Sequence, residues 1–222
     1  MSARGGAVAV VPLRDGVSGK SRLAGELDPP ARRRLVAALA RHVVEVLAAM
    51  PAVERIVVVT ADLGFVHETL AGLLGPAGRV TVVEQPAQRP GLNAAVAVGR
   101  EHASGLGAER LLVVHADLPA LAPDDVEAVL RADADVVVAT DRHASGTNLL
   151  LVPLHPPGSS FTFRFGPDSR AAHVAEAGRL GLRAVVVHRP GTAADLDTID
   201  DWTELPPAVR ARVRTAVGHR LP

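Results

Sequence analysis

The 222-residue sequence has no cysteine and no tyrosine, and it carries only four phenylalanines and one tryptophan. The lack of cysteine excludes disulfide bonds and thiolate metal sites. The few aromatic rings and the formal net charge of zero argue against nucleic-acid binding, which depends on base stacking and on neutralising phosphates. No apolar run approaches the ~20 residues of a transmembrane helix, and no signal-peptide pattern opens the chain. We therefore expect a cytoplasmic protein that binds neither membranes nor nucleic acids.

Lysine is nearly absent as well. Lys20 is the only lysine among 24 basic residues, and all the others are arginine. It lies in a loop of small residues, 16–23, just after an apolar strand-like run. A compact ammonium on a flexible stem fits an anionic oxygen in a tight site, where a planar guanidinium would not. The loop therefore predicts phosphate binding, with Lys20 and Arg22 as its cationic side chains; the alternative is an incidental surface lysine.

Apolar runs rich in valine and leucine alternate with helical patterns along the chain. Strands are predicted at 7–13, 55–60, 79–84, 110–115, 135–140, 148–153 and 183–188. Helices are predicted at 28–50, 63–74, 92–103, 123–130 and 169–179, with a further helix starting at 198–202 and a last one at 208–217. This order indicates an α/β domain with a mostly parallel sheet covered on both faces. We place that single domain at 1–205 and a helical tail at 206–222.

Acidic residues follow two of the predicted strands, at the edge of the sheet where such folds bind ligands. Asp117 comes just after the fourth strand, and Asp195 and Asp197 follow the last one. Carboxylates are the ligands that Mg²⁺ prefers, so these three predict a metal site; for Asp117, capping of a local turn is the alternative. Asp200 and Asp201 fit the first turn of a helix instead.

Two polar segments in the second half are candidates for anion binding. The first, 141–148, includes Thr147 and has the composition of an ordinary turn, which is its alternative reading. The second, 163–173, includes Gly166 and places Ser169 at a helix start, where free N–H groups bind phosphates and carboxylates. Three of the four phenylalanines lie at 161–165 and are expected to hold this loop in place.

Asn93 and the histidines complete the candidates. Asn93 lies near the start of a predicted helix, where it can read a base edge or ribose of a nucleotide; a cap-like structural role is the alternative. The nine histidines show no paired spacing, so a zinc site is not expected. His115 and His173 fall near the expected site, and the others are expected on the surface or in the core.

Six segments together carry a family resemblance: V-P-L-x₅-G-K-S-R-L, G-L-N-A-A-V, H-A-D-L-P-A-L, S-G-T-N-L-L, R-F-G-P-D-S-R-A-A-H and D-L-D-T-I-D-D-W. They closely resemble the guanylyltransferases of deazaflavin (coenzyme F-420) biosynthesis, over residues 7–202. One loop departs from the family's frequent G-T-G-T-N, since it reads A-S-G-T-N from Ala144. The resemblance implies a GT-A-like nucleotidyltransferase fold and transfer of GMP from GTP to a phosphorylated three-carbon acid, with release of pyrophosphate. Phosphoenolpyruvate is favoured over 2-phospho-L-lactate as that acid.

On this basis we expect the following roles. Lys20 and Asp117 are the expected catalytic residues, and Asn93 helps to select guanosine. One or two Mg²⁺ ions are expected on the three carboxylates, and the acceptor's acid groups on Thr147, Gly166 and Ser169. The rival functions are another nucleotidyltransferase of this fold, such as a cytidylyltransferase or a molybdopterin guanylyltransferase, and a non-catalytic nucleotide-binding regulator. The sequence leaves the oligomeric state open, with a homodimer as the alternative to a monomer.

Overall fold

A computed structural model describes residues 6–14, 20–75 and 78–218, and these residues form seven strands and eight helices. The strands are β1 (Ala7–Pro12), β2 (Val53–Thr60), β3 (Val80–Glu84), β4 (Arg110–Val114), β5 (Val136–Ala139), β6 (Leu149–Pro153) and β7 (Ala184–Val187). The helices are α1 (Pro29–Ala48), α2 (Leu63–Thr69), α3 (Leu92–Gly105), α4 (Pro123–Arg131), α5 (Ser169–Arg179), α6 (Pro190–Ala193), α7 (Ile199–Glu204) and α8 (Pro207–Val217). All seven predicted strands are confirmed, and α6 is the one described α-helix that the sequence patterns did not predict.

The seven strands form one sheet in the order β3-β2-β1-β4-β6-β5-β7. β1 is parallel to β2 and β4, while β6 runs antiparallel to both of its neighbours. The chain builds one side of the sheet from β1 outwards and then returns to the other side of β1 with β4. The carboxyl ends of β1 and β4 therefore flank the point at which open sheets bind ligands. The prediction of a mostly parallel sheet in a single α/β domain is confirmed.

Alternating residues of each strand face two separate apolar layers. On β1, Ala9 and Val11 pack into the layer under α1, α2 and α4, while Val8 and Val10 face α3 and the phenylalanine segment. α3 lies close to β1 because it presents Gly99 there: a Cβ at this position would lie 2.4 Å from a methyl carbon of Val10. This close packing fixes the start of α3 at the ligand edge of the sheet.

α2 ends earlier than its apolar pattern predicted. The predicted helix reached residue 74, but the structure ends it at Thr69. Gly72 has a φ of +86°, a left-handed conformation that ends helices. Leu73 and Leu74 still pack against the core, so their apolar character reflects burial in a turn rather than a further helical turn.

A third apolar cluster lies behind the site and includes the last helix. Leu35 and Leu39 of α1 pack with Trp202 of α7 and Val213 of α8, and Leu196 belongs to the same cluster. The domain boundary at residue 205 stays a prediction, and it falls inside this cluster, which joins both sides of it. Among the described helices, none combines the length and the apolar character needed to cross a membrane.

Candidate active site

A cavity of about 530 Å³ opens at the edge of the sheet where β1 and β4 end. Its wall is built by the segments that follow β1, β4, β5 and β7 and by the segment that precedes β6. Because β6 runs antiparallel, its beginning meets the ends of its neighbours. Eight of the nine predicted site residues line this one cavity: Lys20, Arg22, Asp117, Thr147, Gly166, Ser169, Asp195 and Asp197.

Lys20 lies between two carboxylates. Its Nζ is 2.6 Å from Oδ2 of Asp117 and 2.6 Å from Oδ1 of Asp197, and its side chain is only 7% exposed. Burial opposes the charged ammonium, but the two carboxylates outweigh burial and raise the pKa of Lys20. Its φ of +57° is unusual for a residue with a side chain. Residues 16–19 of the predicted phosphate-binding loop lie outside the described residues.

The two acidic segments are tied together through their backbones. Leu196 donates its N–H to the carbonyl of Asp117 at 3.1 Å. Asp201 in the first turn of α7 accepts the N–H groups of Asp197 and Thr198 at 2.9 and 2.6 Å. The prediction that Asp201 serves the helix start is confirmed, and the same contacts hold the backbone of Asp197 in place. The sheet edge thus presents both acidic segments as one rigid unit.

Asp195 is the third acid of this unit. The buried amide of Asn148 donates to its Oδ1 at 3.3 Å and to the carbonyl of Thr192 at 2.8 Å. Burial, followed by the charge of Asp117, raises the pKa of Asp195 to about 6. The role of Asn148 in holding Asp195 was missed by sequence reasoning, because nothing in the order of residues indicates that these two segments meet.

The acids carry more negative charge than Lys20 alone neutralises. Burial disfavours the charged carboxylate of Asp117, yet the nearby ammonium lowers its pKa, and its second oxygen, Oδ1, is buried without a hydrogen-bond partner among the described residues. These features fit a site that takes up a further cation. Within the described part of the chain, however, no group of three or more acidic or histidine side chains is already arranged to hold a metal ion.

The two predicted anion-binding segments line the same cavity. Thr147 and Ser169 are almost fully buried, and both line the cavity together with Gly166. Ala144 and Asp168 take left-handed backbone conformations, with φ of +53° and +54°. With Lys20, these are the positive-φ residues other than glycine in the described chain, and all three lie in segments that build the cavity. Such strain persists where the surrounding structure requires a particular loop shape.

Asn93 has a different contact from the one that was predicted. Its Oδ1 accepts the N–H of Phe165 at 2.7 Å, and its Nδ2 donates to the carbonyl of Phe165 at 3.0 Å. It is not among the residues that line the cavity. α3 has no side-chain cap, so Asn93 does not cap the helix, but its contacts within the protein are structural, as the alternative expected. Asn93 holds the phenylalanine segment against α3, and its role toward guanosine stays a prediction.

The two histidines singled out in the sequence lie near the cavity. His115 lines it, with its ring centroid 5.3 Å from that of Phe165, and its Nε2 is buried without a partner among the described residues. Burial lowers the pKa of His115. His173 lies behind the wall and contacts Thr147. Their positions near the site are confirmed, although the sequence indicated no role for either.

Comparison with known proteins identifies the family. The model of the family described as "Guanylyl transferase CofC like" matches residues 7–206. The chain belongs to this family. The CofC-like family is the one expected from the sequence motifs, and the expectation of a nucleotidyltransferase is confirmed with it.

Relatives of this CofC-like guanylyl transferase cover most of its length. A protein named phosphoenolpyruvate guanylyltransferase from Rubrobacter xylanophilus is 40% identical over 200 residues, which is 89% of this chain and 92% of the relative. A protein of the same name from Chloroflexus aggregans is 39% identical over 195 residues, 84% of this chain and 90% of the relative.

Solved structures share the fold of the CofC-like chain. A putative nucleotide-diphospho-sugar transferase from Desulfovibrio desulfuricans matches with a TM-score of 0.74 and 16% identity, covering 96% of this chain and 97% of that one. A nucleotidyl transferase from Methanothermobacter thermautotroptrophicus matches with a TM-score of 0.67 and 21% identity, covering 94% and 98%. The predicted nucleotidyltransferase fold is confirmed.

Proposed function

We propose that this protein transfers GMP from GTP to phosphoenolpyruvate and releases pyrophosphate, as a step in the making of a deazaflavin coenzyme. Support comes from its family and from relatives at 39–40% identity that carry the name phosphoenolpyruvate guanylyltransferase. The observation that carries the proposal is that one cavity is lined both by a charged set and by a hydroxyl set. Lys20 and three carboxyl groups form the first set, and the hydroxyl groups of Thr147 and Ser169 form the second.

The reaction needs no general base on the protein. An oxygen of the acceptor's phosphate, already ionised near neutral pH, attacks the α-phosphorus of GTP in line. A new phosphorus–oxygen bond forms, the bond to the bridging oxygen of the β-phosphate breaks, and pyrophosphate leaves with that electron pair. Both reactants are anions, so catalysis depends on bringing them together and on neutralising their charge.

Lys20 is the protein's own cation for this task. In the structure its ammonium is held by Asp117 and Asp197, its side chain is 7% exposed, and it lines the cavity. A triphosphate oxygen that enters the cavity can contact this buried ammonium, and a charge contact is stronger there than in water. Arg22 lines the same cavity and adds a second positive charge toward the nucleotide.

Asp117, Asp195 and Asp197 are the residues that would hold Mg²⁺. The donor set fits, because carboxylate oxygens are hard ligands, one oxygen of Asp117 has no partner among the described residues, and the pKa of Asp195 is raised by burial and then by the charge of Asp117. When bound, Mg²⁺ would neutralise phosphate oxygens and stabilise the charge that develops at phosphorus. Asp117 and Asp197 themselves orient the ammonium of Lys20.

The acceptor acid is assigned to the part of the cavity lined by Thr147, Gly166 and Ser169. Thr147 and Ser169 bring hydroxyl groups to it, while the backbone N–H groups of Ser169 and Arg170 are already bound to the carbonyls of Gly166 and Ser145. The dipole of α5 still favours an anion at its start. Asn93 holds Phe165, directly before Gly166, and so keeps this part of the cavity in shape. Phosphoenolpyruvate brings a carboxylate and a phosphate, and only the phosphate has to reach the nucleotide.

Pyrophosphate release from purified protein tests the proposal. GTP, Mg²⁺ and phosphoenolpyruvate should support turnover, and mass spectrometry should find the guanylylated acid. Asp117→Asn should lower the rate by about 10²–10³, the usual loss for one charge-stabilising contact. Asp124→Asn, on the exposed face of α4, is the matched control and should retain the wild-type rate.

Parallel reactions separate the rival functions. Turnover with CTP in place of GTP would indicate a cytidylyltransferase, and a preference for 2-phospho-L-lactate would change the acceptor. Tight GTP binding without turnover of any acceptor would favour a regulatory protein. Near-normal turnover of Asp117→Asn would show that this carboxylate has no part in the reaction.

A further inference from the structure

His173 is a buried histidine on the inner face of α5, and none of its surface is exposed. Its ring packs edge-on against that of Phe165, with 4.7 Å between the ring centroids and 70° between the planes. The ring of Phe161 lies 5.9 Å away on another side. Because the ring is shielded from water, its two nitrogens have to find their hydrogen-bond partners within the protein.

The first partner fixes which nitrogen carries the proton. Arg164 donates its backbone N–H to Nε2 of His173 at 3.0 Å. A backbone N–H only donates, so Nε2 offers a lone pair and holds no proton. Burial, helped by the nearby His115, lowers the pKa of His173 to about 4, so the ring is neutral at physiological pH. Its single proton therefore lies on Nδ1.

The second partner is the hydroxyl of Thr147. Its Oγ1 lies 3.1 Å from Nδ1 of His173, and both side chains are buried. Since Nδ1 carries the proton, His173 donates and Thr147 accepts. Among the described residues this is the only hydrogen-bond partner of the threonine hydroxyl, so the hydroxyl's own proton remains to be donated. Thr147 lines the cavity beside Gly166 and Ser169, which is where that proton can find an acceptor.

We propose that His173 is a positioning residue that makes the hydroxyl of Thr147 a hydrogen-bond donor toward an anionic oxygen of the acceptor acid. The inference rests on the proposed function, because it takes the acceptor to lie in this part of the cavity. An ionised carboxylate or phosphate oxygen only accepts hydrogen bonds, so it matches this donor. An analogue with an amide NH₂ group at the same position would place a hydrogen-bond donor against the donor hydroxyl of Thr147. Its binding is therefore disfavoured.

The segment that carries the fixing contact is itself held from α5. Glu176, one helical turn beyond His173, accepts the N–H of Thr162 at 2.8 Å. The two side chains therefore bind alternate N–H groups of the same extended segment, since His173 binds that of Arg164. The position of the proton on His173 is set by the backbone N–H of Arg164, which cannot rotate away. The hydroxyl of Thr147 therefore always accepts from Nδ1 of His173.

The tautomer can be measured without any turnover. Long-range ¹H–¹⁵N NMR correlations on protein labelled at histidine distinguish Nδ1–H from Nε2–H rings, and His173→Asn identifies the signals of this residue. We expect the Nδ1–H tautomer at pH 7, with no protonation of the ring down to about pH 5. An Nε2–H tautomer, or a charged ring at pH 7, would overturn the proposal.

Kinetics then test whether His173 acts through Thr147. Glutamine in place of His173 can still accept from Arg164 but has no donor at the Nδ1 position, while asparagine places an amide N–H near that position. We expect His173→Gln and Thr147→Val to raise KM for phosphoenolpyruvate about 10- to 100-fold, the effect of losing a hydrogen bond to a charged group. KM for GTP should not change. His173→Asn and Thr147→Ser each keep a donor at the required position, so their KM for phosphoenolpyruvate should stay close to the wild-type value.

The double variant decides between a positioning role and a general packing role. His173→Gln combined with Thr147→Val should be no worse than Thr147→Val alone, because the histidine has nothing left to position. Effects that multiply, or an equal rise in KM for GTP, would refute the proposal. His67→Gln, at an exposed position, is the matched control.

Failure of the proposed function gives a different result from failure of this inference. If the wild-type protein turns over no acid with GTP, the function is wrong, while the tautomer of His173 still reports on the hydrogen-bond chain. Calorimetric binding of phosphoenolpyruvate to wild-type protein and to Thr147→Val then replaces KM. Equal affinity of the two proteins would show that the threonine hydroxyl does not serve as the donor.

Discussion

Acidification should destabilise this protein through His173. Burial, assisted by His115 and opposed by Glu176, lowers the pKa of the ring from 6.5 to about 4 in the folded protein. Between these pH values the unfolded chain binds a proton that the folded protein does not, so stability falls as the pH falls. The gap corresponds to about 3 kcal/mol of unfolding free energy, of which about 2 kcal/mol is lost by pH 5. Above pH 6.5 both states are neutral, and the full stability is present.

Urea unfolding at pH 7 and pH 5 measures this loss. The fluorescence of Trp202, the only tryptophan, reports unfolding because its side chain is 1% exposed in the folded protein. Between the two pH values the wild type should lose about 2 kcal/mol more than His173→Gln, which has no group to protonate there. Comparing the two proteins cancels other groups, including Asp195, whose raised pKa stabilises the fold as the pH falls. His67→Gln should follow the wild type.

Parallel pH dependence of wild type and His173→Gln would refute this reasoning. It would mean that the ring exchanges protons as freely as in the unfolded chain; a ring charged in the folded protein would instead make the wild type gain stability relative to His173→Gln as the pH falls. Either result would also contradict the hydrogen-bond chain from Arg164 to Thr147. The measurement is independent of catalysis, so it remains informative whatever the substrate proves to be.

Three further outcomes follow from the site. Lys20→Arg should lower the rate of pyrophosphate release about 100-fold or more although the charge is kept, because the ammonium fits 2.6 Å from each of Asp117 and Asp197; a wild-type rate would contradict this. Lys20→Met should raise the affinity for Mn²⁺ without nucleotide, measured by electron paramagnetic resonance, because the ammonium no longer competes for the two carboxylates; unchanged affinity would show that it does not compete. Ala144→Gly should raise the unfolding free energy by about 0.5–1 kcal/mol, because glycine relieves the strain of a left-handed alanine. Ala175→Gly on the exposed face of α5 should lower it by about 1 kcal/mol. Melting temperatures of the two variants that shift in the same direction would contradict this prediction.

The pattern of apolar residues predicted the strands correctly, because the burial of a strand is visible in its own short stretch of sequence. The strands β1, β4, β5 and β6 are runs of largely apolar residues buried on both faces, so their pattern is visible without knowing their neighbours. α2 shows the limit, because Leu73 and Leu74 continue an apolar pattern after the helix has ended. An apolar residue in a buried turn and one in a helix look the same in sequence.

The meeting of the acidic segments was predictable from topology. Asp117 follows β4 and Asp195 follows β7, and the carboxyl ends of these strands lie at one edge of the sheet. Side-chain partners were not predictable. Lys20 pairs with residues 97 and 177 positions away, and Asn93 binds a backbone group 72 positions away. Which side chains pair depends on the exact positions of their polar atoms, and only the folded chain defines those positions.

Ala144 shows how a departure from a family motif can be tolerated. Alanine stands where the resembling proteins often have glycine, and the structure keeps the left-handed turn there, with a φ of +53°. The loop retains its shape because Asp141 accepts the N–H of Ser145 at 2.9 Å and so holds the turn from its own start. A local hydrogen bond thus compensates for a less suitable residue, which the motif alone does not reveal.

The last helix has a bearing on how far the working enzyme extends. Residues matched by the family end at 206, yet Val213 and Val217 of α8 share an apolar cluster with Leu196, which stands between Asp195 and Asp197. A protein that ends at residue 206 would retain every candidate functional side chain. It would, however, expose to water the apolar cluster that holds Leu196 and thereby supports Asp195 and Asp197. Truncation of the carboxyl terminus is therefore expected to weaken catalysis from a distance.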